Sequence, residues 1–126
     1  MDSKTLTDKI VATMEDRKGK KIEVIDISEV SVLADYFVLC SGTSTTHLRG
    51  IADEILFRLE KEGVTCSHTE GYDTASWILL DFSDVVVHLF LEEERAYYNI
   101  ERLWRTGGVY KPKPVPENTE ETDAKE

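Results

Sequence analysis

The run Trp77-Ile-Leu-Leu-Asp-Phe-Ser-Asp-Val-Val-Val-His-Leu-Phe-Leu91 constrains this chain more than any other stretch. Two arms rich in β-branched, aromatic and aliphatic residues flank Ser83-Asp84, a pair suited to a tight turn, so the run reads as an antiparallel hairpin. Side chains alternate along a strand. The first arm therefore divides into Trp77, Leu79 and Asp81 on one face and Ile78, Leu80 and Phe82 on the other. The second divides into Val85, Val87, Leu89 and Leu91 against Val86, His88 and Phe90. Neither face is plainly polar. Such a pair belongs inside a sheet covered on both sides, by helices or by a second chain.

The rest of the chain supplies the expected partners. Leu6, Ile10, Val11 and Met14 mark one face of a helix from Ser3 to Asp16, with Ser3 as N-cap; Arg17-Lys-Gly-Lys-Lys21 ends it, Gly19 supplying the turn. Ile22 to Ile27 alternates as a strand. Val32 to Asp35 reads as one helical turn or an irregular link, and Tyr36 to Cys40 as a second strand closing at Ser41-Gly42. Leu48, Ile51, Ala52, Ile55, Leu56 and Leu59 form an unbroken helical stripe, with Gly63 at its C-terminal end. Val64 to His68 reads as a short strand and Glu70 to Ser76 as a polar loop. After the hairpin, Ala96, Ile100, Leu103 and Trp104 give a last helix its stripe, and Gly107-Gly108 stops it.

This pattern predicts one α/β (α+β) domain over residues 1–106, followed by a flexible, Pro-containing acidic tail over 107–126. The expected architecture is a mixed sheet of about five strands with an antiparallel hairpin in its C-terminal half, flanked by about three helices. A folded part of this size buries roughly two-thirds of its unfolded surface and requires no disulfide or metal staple. Cys40 and Cys66 lack zinc or redox spacing and read as two buried thiols in a reducing compartment. No run approaches the roughly 20 apolar residues of a membrane span, and the first residues carry no export-type apolar block, so a cytoplasmic location, or an organelle interior after import, is expected.

The formal net charge is −10. The tail holds three lysines against five carboxylates, which leaves −8 on residues 1–106. A body this acidic repels a phosphate backbone on average and suits a basic protein partner, although solubility alone also accounts for acidity. Arg17 to Lys21 is the only basic cluster. It could touch RNA, but a solvated helix end, with lysines near the negative pole of the dipole, is the simpler reading.

Four groups of residues bear on chemistry. The glycine turn Cys40-Ser-Gly-Thr-Ser44 sits where a strand meets a helix and could hold a phosphate, yet it is neither a Walker loop nor a three-glycine fingerprint; an N-cap by Thr43 or Ser44 explains it more simply. Asp81 and Asp84 would suit a nucleotidyl transferase only if they converged on a cation, and a spacing of three across a turn puts them on different faces. His47, His68 and His88 show neither metal spacing nor a neighbouring nucleophile, and His88 is most simply a hydrogen-bonded sheet residue. An aromatic and acidic set remains: Tyr36, Tyr72, Trp77, Tyr97, Tyr98 and Trp104 with Asp35, Glu70, Asp73 and Asp81. Trp104, at helical spacing, reads as core. Trp77 divides evenly between core and interface.

Several of these motifs occur together in one known family. Ala34-Asp-Tyr-Phe-Val-Leu-Cys-Ser-Gly-Thr-Ser44, Ile51-Ala-Asp-Glu54, Glu70-Gly71, the hairpin from Trp77 to Leu91, and Tyr98-Asn-Ile-Glu-Arg-Leu-Trp104 closely resemble, in the same order, the ribosomal silencing factor family, RsfS or Iojap. Cys40 departs slightly from the small or aliphatic residue common at its position. The resemblance implies a nucleotidyltransferase-like topology without catalytic residues, often a homodimer, that is no enzyme and uses no metal or cofactor. It implies binding to the large-subunit ribosomal protein numbered fourteen, which hinders joining of the small subunit and represses translation when nutrients are scarce. Under that reading Trp77 is a central partner-binding anchor, and Asp35, Tyr36, Glu70, Asp73, Asp81, Asp84 and His88 complete the site. The alternative is a nucleotide-binding or nucleotidyltransferase-like enzyme using Asp81, Asp84 and the Gly42 turn.

Overall fold

In the computed structural model, residues 1–93 are described. The expected last helix, with Ala96, Ile100, Leu103 and Trp104, and the tail over 107–126 lie outside the described residues. Two helices and five strands occur within them, an α+β fold with two helices rather than about three.

Helix α1, Ser3–Asp16, begins one residue earlier than its expected cap: Asp2, not Ser3, takes the extended N-cap conformation and accepts from the Thr5 backbone N–H at 2.8 Å. That hydrogen bond holds the Asp2 carboxyl below its ordinary range. At the other end the backbone turns through Lys18, at φ 63°, and not through Gly19. Gly19 is needed for closeness instead, because a Cβ there would stand 2.3 Å from the Cys40 Sγ. Strand β1 runs Lys20–Asp26, two residues ahead of the expected start, with an irregularity in pairing between Lys20 and Glu23.

Strand β2, Tyr36–Gly42, leads into helix α2, Thr45–Lys61. Ser44 is the N-cap, accepting from the His47 N–H at 3.0 Å. Strand β3 is His68–Glu70 rather than Val64 to His68, because it pairs with the edge of β4, Trp77–Asp81. Strand β5, Val85–Leu91, completes the hairpin. The order across the sheet is β1-β2-β5-β4-β3, with β2 and β5 parallel and every other pair antiparallel.

Both helices lie on one face. Ile10, Met14, Leu48, Ile51, Ile55 and Leu59 meet Val38, Cys40, Ile78, Leu80, Val87 and Leu89 there, as the alternation required. Leaving water contributes about 1.5–3 kcal/mol for each large aliphatic side chain. The opposite face has its own buried cluster of Ile25, Ile27, Ala34, Phe37, Leu39 and Phe90, against which Trp77 and Val86 pack. The hairpin is therefore apolar on both faces because it stands between two cores.

Candidate functional site

Residues 22–48 and 62–94 contain no Lys or Arg. Every formal charge on β2 to β5 and on the connections at their ends is consequently negative, and the Lys and Arg side chains of the described residues lie on α1, the turn after it, the first two positions of β1 and α2. The connection from β1 to β2 stands out within the negative part. Val32 is 100% exposed and Leu33 76%, while Ile27 and Ala34, which bracket the loop, are buried in the second core. Aliphatic side chains are thus held outward by a pinned backbone.

The pinning is built from hydrogen bonds. The Ile27 carbonyl accepts from the Val30 and Ser31 N–H groups at 3.0 and 2.9 Å, and Ser31 Oγ accepts from the Leu33 N–H at 3.0 Å. Asp26 Oδ1 accepts from Ser28 Oγ at 2.6 Å and from its N–H at 2.9 Å, which together lower the Asp26 pKa. The Asp84 carbonyl then takes the Asp35 N–H at 2.7 Å and the Tyr36 N–H at 3.3 Å, tying the loop to the hairpin turn. Asp84 and Glu29 are exposed and Asp35 half-exposed around the two aliphatics.

Of the residues selected from sequence, this end of the sheet collects Asp35, Tyr36, Asp81 and Asp84. The Asp81 Oδ1 accepts from the Ser83 N–H at 2.8 Å, with Ser83 at φ 77°, so this carboxylate shapes the hairpin turn. Trp77, Glu70 and Asp73 sit at the other end, since Trp77 pairs with Phe90 and Tyr36 with Val85. Five strand residues separate those rows, about 17 Å at ~3.3 Å each. One flat patch does not contain them all.

At that far end Trp77 is half-buried, its ring centroid 4.8 Å from that of Phe90. Its indole N–H donates to His88 Nδ1 at 3.1 Å. An indole nitrogen only donates, so the proton of neutral His88 resides on Nε2. That Nε2 is buried without a partner among the described residues, and burial pushes the His88 pKa down to about 3. Trp77 therefore acts at least partly as a core residue.

Glu70 is exposed and accepts from His68 Nε2 at 2.7 Å. Asp73 belongs to a loop fastened to α2: Arg49 Nε donates to the Tyr72 carbonyl at 3.0 Å and its Nη2 to that of Asp73. The Tyr72 hydroxyl donates to the Asp53 carboxylate at 3.0 Å, which raises the Tyr72 pKa. Gly71, at φ 81°, lies where a Cβ would be 2.0 Å from the Trp77 carbonyl oxygen.

The Gly42 turn is already satisfied internally. Thr43 N–H donates to His47 Nδ1 at 3.0 Å, and a Cβ on Gly42 would meet Leu48 at 2.7 Å, so the glycine lets α2 approach the strand closely. Among the described residues no three His, Cys, Asp or Glu side chains group as metal ligands, and no helix is long and apolar enough to cross a membrane.

Comparison with known proteins places this geometry. The family model described as ribosomal silencing factor during starvation matches residues 1–126. The chain belongs to the ribosomal silencing factor (RsfS/Iojap) family. It is 38% identical over 104 residues to ribosomal silencing factor RsfS of Bacillus subtilis, covering 82% of this chain and 88% of that one. Protein Iojap, chloroplastic, of Zea mays is 33% identical over 89 residues, 69% of this chain and 38% of its own length. A crystal structure of a Chromobacterium violaceum protein superposes with a TM-score of 0.81 at 33% identity, covering 90% of this chain and 92% of that one. Val32 and Leu33 were absent from the sequence-selected set.

Proposed function

We propose that this chain binds the large ribosomal subunit through its L-fourteen protein and, by occupying the space the small subunit needs, lowers translation when nutrients are limited. The observation that carries the reading is the outward pair Val32 and Leu33, 100% and 76% exposed, in a surround of carboxylates with no cation nearby in sequence. An apolar centre with a negative rim suits a basic protein: the aliphatics supply buried area, and Glu29, Asp35 and Asp84 steer the encounter. Tyr36 and Asp81 flank this centre, and Trp77, Glu70 and Asp73 extend the proposed contact along the sheet; His88 is fully buried, presents no surface to a partner and drops out of the contact set. The action is steric occupancy, with no covalent step, cofactor or metal. The proposed location is the ribosome-containing cytoplasm, and the free chain is proposed to pair with a second copy.

The test is a subunit-joining assay with purified full-length chain. Saturating protein is expected to reduce the fraction of joined ribosomes, and Leu33→Asp to raise the required concentration about tenfold or more, the loss typical of a well-placed interface side chain. Unchanged joining at saturation by the wild-type chain refutes the proposal. Because Leu33 is exposed, the variant should keep the wild-type thermal midpoint.

A further inference from the structure

The positive charges of this acidic chain are unevenly occupied. Lys4 pairs with Asp8 at 3.6 Å, Lys9 with Glu62 at 3.3 Å, and Arg58 with Asp16 and Glu54 at 2.8 Å each. Lys61 lies 5.0 Å from the Phe57 ring centroid, and Arg49 holds the carbonyls of Tyr72 and Asp73. Arg17, Lys18 and Lys20, by contrast, are exposed and form no ion pair with a described residue. Three neighbouring cations are left available while the adjacent carboxylate, Asp16, is held by Arg58.

The end of α1 does not need them. Its last carbonyls are closed by backbone donors: Arg17 N–H to Thr13 O at 3.0 Å, Lys18 N–H to Glu15 O at 3.0 Å and Gly19 N–H to Met14 O at 2.7 Å. Lys20 already belongs to β1, beyond the last turn where a helix dipole acts appreciably. The simple reading of a solvated helix end therefore leaves the arrangement unexplained.

The turn is also held in place. His47 Nε2 meets the Arg17 carbonyl at 2.8 Å, and the Arg17 guanidinium lies over α2, 3.1 Å from where a Cβ on Gly50 would be. Register fixes which end of the molecule this is. Lys20 pairs with Ser41 at the finish of β2, whereas Val32, Leu33 and Asp84 stand beyond its start at Tyr36. The exposed cations thus stand at the end of the sheet opposite Val32, Leu33 and Asp84, and share their own end with Glu92 and Glu93, which follow the Leu91–Gly42 pair.

We propose that Arg17, Lys18 and Lys20 form a phosphate-contacting surface that touches the RNA backbone of the large ribosomal subunit while the opposite end holds the basic protein. This inference rests on the ribosome-docking reading above. The patch favours RNA over an acidic protein because no exposed apolar side chain lies among its cations; protein interfaces want an apolar centre, whereas phosphate contact wants accessible charge. Association with two partners of opposite sign also gives an acidic protein a defined orientation on a mostly anionic particle.

The experiment measures binding of the full chain to purified large subunits between about 50 and 200 mM salt, for wild type and for the triple variant Arg17→Gln, Lys18→Gln, Lys20→Gln. The variant is expected to bind roughly tenfold more weakly at the low-salt end, with a log–log salt slope shallower by about two to three, near one unit for each phosphate contact removed. A photo-crosslinking side chain at position 18 should join the chain to nuclease-sensitive RNA. An unchanged slope, or crosslinks confined to protein, overturns the RNA contact while leaving docking intact. Failure of the wild-type chain to bind subunits overturns docking itself. The three side chains have no intramolecular partner among the described residues, so an unchanged thermal midpoint should accompany the loss.

Discussion

Burial of His88 governs how this chain responds to acid. Its folded pKa is pushed down to about 3, against an unfolded value near 6.5. Below about pH 6.5 the unfolded chain binds a proton that the folded chain refuses, so stability from this group is complete above that pH and falls as pH drops towards about 3. The slope is at most about 1.4 kcal/mol per pH unit. Urea unfolding at a series of pH values should show His88→Gln losing less stability than wild type across this window; parallel curves would contradict a buried neutral imidazole. Two glycines give a second comparison at this scale. Gly63, at φ 85° with nothing within 4 Å, should tolerate alanine at about 1 kcal/mol, whereas Gly71→Ala must also displace the Trp77 carbonyl and should cost about 2 kcal/mol or more by the same measurement. That His88 would be a hydrogen-bonded sheet residue was legible in the sequence. Its partner was not, because Trp77 stands diagonally to it and only the register brings them together. Val32 and Leu33 were illegible for a related reason: aliphatic residues in a short link read equally as core, and their direction is decided by the anchoring of Ile27 and Ala34.

Elements with strong periodicity were legible in advance. The stripe from Leu48 to Leu59 and the two arms of the hairpin form the helix and strands that alternation predicts, with the expected sides buried. Strand β3 was misplaced because its three residues are all exposed and carry no alternation; the edge of β4 selects them by pairing. The start of β1 moved because Lys21, at φ 52°, adapts the backbone to an irregular register that composition does not reveal. At this scale the caps are the measurable devices. Ser44→Ala removes the acceptor of the His47 N–H and should lower unfolding free energy by about 1 kcal/mol, detected as a reduced urea midpoint with unchanged slope. A midpoint equal to wild type would mean that the remaining contacts at the start of α2 suffice. Replacing Arg49 by Ala should speed amide exchange in residues 71–76 more than in β5, because two carbonyl contacts holding the loop to α2 disappear.

At the scale of the molecule, the cations of β1 and of the turn before it lie at one end of the sheet and the exposed aliphatics at the other. Glu29, Asp35 and Asp84 stand with Val32 and Leu33 beyond the start of β2, and Arg17, Lys18 and Lys20 stand beside its finish, where Glu92 and Glu93 also follow β5. Reversing charge at the negative end by Asp84→Lys should slow association with large subunits several-fold and leave dissociation nearly unchanged, because rim charges act mainly on encounter. Stopped-flow measurement would separate the two rates, and an effect confined to dissociation would place Asp84 inside a desolvated contact. Net acidity was legible from composition. Its segregation was hidden, since charge order along the chain becomes spatial order only after β5 inserts between β2 and β4.

That insertion also sets the order in which the chain can mature. The central parallel pair joins residues 36–42 to residues 85–91, so a nascent chain ending before β5 lacks the strand that belongs beside β2. The backbone donors of Asp35 and Tyr36 likewise wait for the Asp84 carbonyl. Long-range closure comes late, after local helices and turns. A prematurely terminated product would therefore emerge without the connection that carries Val32 and Leu33 fixed in place, and incomplete synthesis would leave the proposed docking loop unformed.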